Sequence, residues 1–290
     1  MDNKLDYLDK KDGINKNAGD TPKDEIGLFR VNVKDLPSRG LFYPEDIFIS
    51  IKPAEVKEIR HWSMIDENDE FSFLDAMNFI INNCSVIKTK NGILNINDLA
   101  EVDRLYLLFA IRDMTFGADE NPIKIDIPYK FNGNTETDEV IVRKENLNYF
   151  EIPEKLVKYY NEKERAIIVT GDRDFNIVLP SVGVSNWVQD YLRNRVEKNK
   201  PFDEMFAKYA SFLITDYRNM TEKTYFNMEV ESKSWTIRDI SVLDTVATTL
   251  SKGTKEGIKH VTEKGGEEVT VPLVFRDGIK SIFIISDILG

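Results

Sequence analysis

Histidine and cysteine are the scarcest chemically versatile residues here: 290 positions hold two histidines and one cysteine. A lone Cys84 can form no internal disulfide, which fits a reducing compartment. It sits in the apolar-rich stretch AMNFIINNC, where a buried small hydrophobe is expected rather than a nucleophile. Neither His61 nor His260 has a second histidine or a cysteine at ligand spacing, so no zinc or other transition-metal site is expected. Catalysis of the Ser-His-Asp or Cys-His kind would need one of these two, and nothing like GxSxG surrounds any serine. His61 reads as a packed or interfacial helix residue and His260 as a loop residue. The phosphate-cradling patterns GxxxxGK[ST] and GxGxxG are missing, and Gly265 with Gly266 is an isolated turn pair. No run approaches the roughly 20 apolar residues of a membrane span. No apolar h-region follows Met1, so a soluble protein made in the cytosol is expected.

Basic charge is in short supply as well. Fifty acidic residues against 39 basic ones give a net charge of −11 and a pI of about 4.9. Such a surface repels phosphate backbones and anionic membranes, so neither nucleic acid nor membrane is expected as a partner. The densest basic run, RNRVEKNK at 193–200, is broken by Glu197 and reads as the solvated end of a helix. What is present is enough apolar material, 41% with 11% aromatic, to bury a sizeable core.

Along the chain, residues 1–26 are polar and charged. Their anchors Leu5, Tyr7, Leu8 and Ile14 keep no helical or strand period, so a flexible N-terminal arm that orders on a partner is expected. Strands are expected at FRVNV and IFISIK, then a helix opened by Pro53 and a second over 69–83. Asn91 and Gly92 mark a tight turn. Asp98 is placed to cap the most apolar helix, which Gly117 would end. A hairpin follows, KIDIPYKF and DEVIVRK about the tip NGNTET, and another about Gly171 and Asp172. Helices over 187–198, 203–220 and 236–252 come next, then strands at EEVTVPLVF and IKSIFIIS. The fold class is therefore α+β: a helical N-terminal part over 27–120 with a short β lead-in, and an α+β remainder over 121–290 with two or three β-hairpins and further helices.

Carboxylates are abundant, but their clusters fall where structure wants them. Asp66, Glu67, Asp69 and Glu70 occupy a helix start, and Asp172 and Asp174 a hairpin tip. Neither run completes a calcium loop. The first has Phe71 where the loop needs Gly and Met77 where it needs Glu, and the second has Ile177 and Gly183 there.

The segment Leu36-Pro37-Ser38-Arg39-Gly40-Leu41-Phe42-Tyr43-Pro44 holds the most specific pattern. Pro37 and Pro44 restrict the backbone on either side of Gly40, which is free to take positive φ and present Leu41, Phe42 and Tyr43 from a tight bend. Core packing is expected of Phe42. Tyr43, with apolar area and a polar end, suits docking to another protein. Pro37, Gly40, Leu41, Phe42, Tyr43 and Pro44 are thus the candidate docking residues, and no catalytic, cofactor or metal residue stands out.

This turn and the elements after it resemble the baseplate hub subunits and hub-assembly proteins of T-even-like contractile-tailed bacteriophages. In that family a Leu-Pro-Ser-x-Gly-x-x-Tyr-Pro turn leads into a strand, and helices follow, the last running into a Gly before a β-hairpin. Here those are residues 98–117 and the 123–142 hairpin, so the resemblance covers about residues 28–145. Members with Cys-x-x-Cys pairs on the hairpin would suit zinc. The equivalent Pro128-Tyr129-Lys130-Phe131-Asn132-Gly133 has none, and no cofactor is expected. The resemblance implies a non-catalytic structural or assembly protein of the virion tail baseplate, assembled in the host cytoplasm, with other baseplate or tail proteins as partners. Two other readings stand beside it. One is a host-type adaptor or chaperone; the other is a carboxylate-based glycan hydrolase, which needs two carboxylates in one cleft about 5 Å or roughly 6.5–9.5 Å apart.

Overall fold

A computed structural model describes residues 28–118, 121–147, 152–253, 257–275 and 278–284. The arm expected over 1–26 lies outside them. Among the described residues the first strands are β1 (Phe29–Val31) and β2 (Phe48–Ile51), antiparallel with Val31 opposite Ile49. Helix α1 (Val56–Ser63) and helix α2 (Glu70–Cys84) follow, and the chain then returns to the sheet as β3 (Ser85–Thr89) and β4 (Gly92–Leu94). The sheet order is β1-β2-β3-β4. Period-two alternation sends Val31, Ile49, Ile51 and Ile87 to the buried face, which α2 and α3 (Arg104–Phe116) cover. Pro53 does not open α1. The Glu58 carboxylate accepts the Glu55 N–H at 2.9 Å, which makes Glu55 the N-cap and Val56 the first helical residue.

Asp98 does not cap α3 either. It closes a 3-10 turn (Ile96–Asp98), accepting the Asn95 N–H at 3.0 Å, and a second such turn (Glu101–Asp103) precedes Arg104. Between the two turns the chain is held extended by the segment before the fifth helix. Val182 N–H donates to Leu99 O at 2.8 Å, and Glu101 N–H donates to Pro180 O at 3.0 Å. Gly117, at φ 80, ends α3 as expected.

Strands β5 (Ile123–Phe131) and β6 (Asn134–Val142) form the expected hairpin with a shorter tip. Asn132 (φ 50) and Gly133 (φ 83) make a two-residue turn, and Thr135 and Thr137 of the expected loop lie inside β6. Beyond it come α4 (Glu154–Val157) and a small sheet of β7 (Tyr160–Asn161), β8 (Ala166–Thr170) and β9 (Asp174–Ile177). Four helices follow: α5 (Val182–Glu197), α6 (Glu204–Leu213), α7 (Glu222–Ser232) and α8 (Ile237–Gly253). The expected 203–220 helix stops at Leu213, and α7 was not anticipated. The Ser181, Asp203 and Thr221 side chains cap α5, α6 and α7 by accepting N–H groups of their first turns.

A last hairpin, β10 (Ile258–Val261) and β11 (Glu268–Val271), brings the chain back to its start. His260 is therefore a strand residue, not a loop residue, and its Nε2 lies 2.7 Å from Asp138 Oδ2 on β6. Ile279–Ile282 forms a 3-10 turn where a strand was expected, because the successive residues Ile282 and Phe283 are both buried. Phe283 meets Trp62 and Phe116, and Arg112 Nε donates to Ile282 O at 2.7 Å.

The first hydrophobic cluster thus joins the N-terminal sheet, α1 to α3, the β5–β6 hairpin and the C-terminal residues across position 120. The stretch from α4 to α8 builds two further clusters. One lies between the β7-β8-β9 sheet and α8, the other among α5, α6 and α7. No helix among the described residues is long and apolar enough to cross a membrane.

Candidate functional site

The 36–44 segment is a chain of reverse turns. Arg39 N–H reaches Leu36 O at 2.7 Å, Leu41 N–H reaches Ser38 O at 3.1 Å, and Tyr43 N–H reaches Gly40 O at 3.3 Å. Gly40 takes positive φ as expected (72°), and Arg39 (54°) and Phe42 (72°) join it in the left-handed region. For an aromatic residue that conformation costs about 1–2 kcal/mol, so something must hold it.

That something is Asp103, completely buried at the base of α3. Its carboxylate accepts the Ser38 N–H at 2.7 Å, the Ser38 hydroxyl at 2.6 Å and the Tyr43 hydroxyl at 2.6 Å. The Tyr43 oxygen in turn accepts the Ala100 N–H at 2.8 Å. Removal from water pushes the Asp103 carboxyl up to about 6, against the pull of its three hydrogen bonds. Burial and the adjoining carboxylate hold the Tyr43 phenol well above its usual range.

The network corrects the docking assignment. Tyr43 is 6% exposed with its polar end consumed internally, and Pro37 is buried too, so neither is available to a partner. Leu41 and Phe42 are half-buried and pack on the second cluster, with Phe42 edge-on to Tyr160 at 5.6 Å between centroids. Gly40 is closely packed, since a Cβ there would sit 3.2 Å from Val33 Cγ1, and its positive φ strains any other residue. Pro44 is half-buried. The turn is a joint that ties the first core to the second.

On its far side the same 99–104 stretch grips α5. Glu101 accepts the Ser185 hydroxyl at 2.5 Å through one oxygen and pairs with Arg104 at 2.9 Å through the other. Asp103 and Glu101 were not singled out from the sequence. An acid falling at helical spacing between Leu99 and Tyr106, on a stripe otherwise apolar, was the signal for the first.

The remaining candidates have structural occupations. Cys84 is buried beneath the sheet, where burial pushes its thiol up to about 12 and makes it inert. The ring of His61 stacks on Phe79 at 4.0 Å, on the rim of an open pocket between α1 and α2 whose carboxylates, Asp69 and Asp75, are both exposed. Asp172 and Arg173 donate their N–H groups to Asp239 at the start of α8, so the expected acidic tip is itself gripped by an acid. Among the described residues no group of three or more His, Cys, Asp and Glu could hold a metal ion. No family model, no curated protein and no solved structure matches this chain.

Proposed function

We propose that the protein is a non-catalytic structural or assembly component of a contractile phage tail baseplate, working through contacts with other tail proteins. One observation carries the reading. Five of the six fixed positions of the Leu-Pro-Ser-x-Gly-x-x-Tyr-Pro pattern build the inner side of the joint, where Leu36, Pro37, Ser38 and Tyr43 are buried and Gly40 sits at positive φ; the variable positions hold an exposed Arg39 and the half-buried Leu41 and Phe42 that reach the second cluster. A pattern whose constant residues make one buried junction travels with a fold, which supports reading the turn as kinship. The structural employment of Asp103, Glu101 and Asp239 supports the non-catalytic half.

The test is affinity capture of the tagged full chain from phage-infected cells, with mass spectrometry of what is retained. Hub, wedge or tube proteins from the same phage are the expected catch. Capture of host proteins alone would favour the adaptor or chaperone reading, and a monomer retaining nothing would sink the baseplate reading.

A further inference from the structure

Asparagine is followed by glycine at two places in the chain, Asn91-Gly92 and Asn132-Gly133, and both lie at exposed hairpin turns. Such a step rearranges without an enzyme. The glycine main-chain nitrogen gives up its proton to solvent base and attacks the asparagine Cγ. An N–Cγ bond forms, the Cγ–Nδ2 bond breaks and ammonia leaves, closing a five-membered imide. Water then opens the ring: cleavage at Cγ leaves aspartate, and cleavage at the main-chain carbonyl leaves isoaspartate, whose chain runs through the side chain. A Cβ built on Gly92 or on Gly133 would meet nothing within 4 Å, so access does not separate the two sites.

Backbone conformation does. Asn132 and Gly133 are both at positive φ (50° and 83°), the type I′ turn that joins β5 to β6. A left-handed residue has ψ of about +47°, which turns the following nitrogen nearly anti to its own Cβ. Attack needs that nitrogen swung round toward Cβ, and the swing unmakes a turn braced by nine paired residues on each strand. Asn91 lies outside the left-handed region. Its turn closes with Thr89 opposite Gly92 and feeds β4, a three-residue strand at the sheet edge whose Ile93 is 83% exposed. The Lys90 N–H donates to Asp46 at 2.8 Å and the Asn91 N–H to Thr89 Oγ1 at 3.2 Å, which anchors the start of the loop. The short edge strand beyond it frays at little cost and frees the Gly92 nitrogen.

We infer that Asn91 is a site of spontaneous conversion to aspartate and isoaspartate, and that the β5–β6 turn protects Asn132 from the same reaction. Isoaspartate adds one methylene to the main chain of a two-residue loop, so Ile93 and Leu94 lose their places opposite Lys88 and Ile87. The inference is independent of what the protein docks to.

The experiment ages the purified full chain in mildly alkaline buffer, with a parallel sample unfolded in guanidinium, and follows the peptides holding Asn91 and Asn132 by mass spectrometry. Unfolded, the two steps should gain the mass of amide-to-acid conversion at similar rates. Folded, Asn91 should convert at least about tenfold faster than Asn132, since opening a long ladder costs more than fraying a short edge. Isoaspartate, recognised by its backbone fragmentation, should be among the products at position 91. Equal rates in the folded chain, a faster Asn132, or conversion at neither position would each overturn the inference.

Discussion

Asp103 is a buried carboxylate held by hydrogen bonds from Ser38 and Tyr43, and that arrangement has two measurable consequences. Truncation by Asp103→Ala leaves the Ser38 amide, the Ser38 hydroxyl and the Tyr43 hydroxyl unmet inside the protein. It should cost about 3–5 kcal/mol in urea unfolding. The pH dependence runs opposite to that of a salt-bridged acid. The folded carboxyl titrates near 6 and an unfolded one near 3.8, so between those values the folded state holds the extra proton. Stability from this group is therefore full below the unfolded value and falls as pH rises to about 6. At ~1.4 kcal/mol for each tenfold change in proton affinity, the fall amounts to about 3 kcal/mol. Asp103→Asn abolishes the titration, so its stability deficit against the parent chain should shrink between pH 4 and pH 7. A deficit constant across that range would show that the carboxylate is not the titrating group. Phe42 packs, as expected, on the second cluster, whereas Tyr43, expected to dock, turns its hydroxyl onto Asp103 inside the protein. The carboxylate that draws the Tyr43 hydroxyl inward lies sixty residues along the chain, beyond what local sequence preference shows.

Among the elements, α5 is held most closely at its first turn. A Cβ on Gly183 would lie 2.7 Å from the Tyr217 ring and 2.9 Å from Asn97 Cβ, so Gly183→Ala must push α5 away from the Ile96–Asp98 turn and the Tyr217 segment. Overpacking of this kind costs about 1–3 kcal/mol. Gly133→Ala is the informative contrast, since nothing lies within 4 Å of that position and only its positive φ resists, at about 1 kcal/mol. Thermal unfolding should rank Gly183→Ala as the more damaging; the reverse order would mean that α5 is loosely seated. The β5–β6 hairpin was legible because Asn132 and Gly133 specify a two-residue turn between alternating strands. Strands β3 and β4 were not, because β3 begins at the residue after α2 ends and no breaker separates the periods. Helix α7 was obscured for another reason. Tyr225, Phe226 and Val230 are weak helix formers, and packing of Tyr225 against Tyr191 and Phe206 adds to the Thr221 cap in holding the helix.

For the whole molecule, the governing fact is that both ends of the described chain meet in one core while the middle builds two others. Phe283, 1% exposed, packs against Trp62 at 5.3 Å and Phe116 at 6.1 Å, and Val182 at the head of α5 belongs to the same cluster. Val102 touches the first and second clusters alike, and Trp235 the second and third. Cores that share residues should lose structure together. Phe283→Ala removes a ring from the first core alone and should cost about 3–5 kcal/mol. The tryptophans report the outcome separately: Trp62 lies in the first core, while Trp187 and Trp235 border the others. In a Trp187→Phe, Trp235→Phe background, fluorescence follows the first core; with Trp62→Phe, it follows the rest. The Phe283→Ala shift should appear with equal size in both reporters, because the joint at Asp103 and the grip of Glu101 on Ser185 transmit it. If only Trp62 moved, the segment from α4 to α8 would be an independently folding unit, and the 36–44 turn would be a contact between two bodies rather than a weld within one.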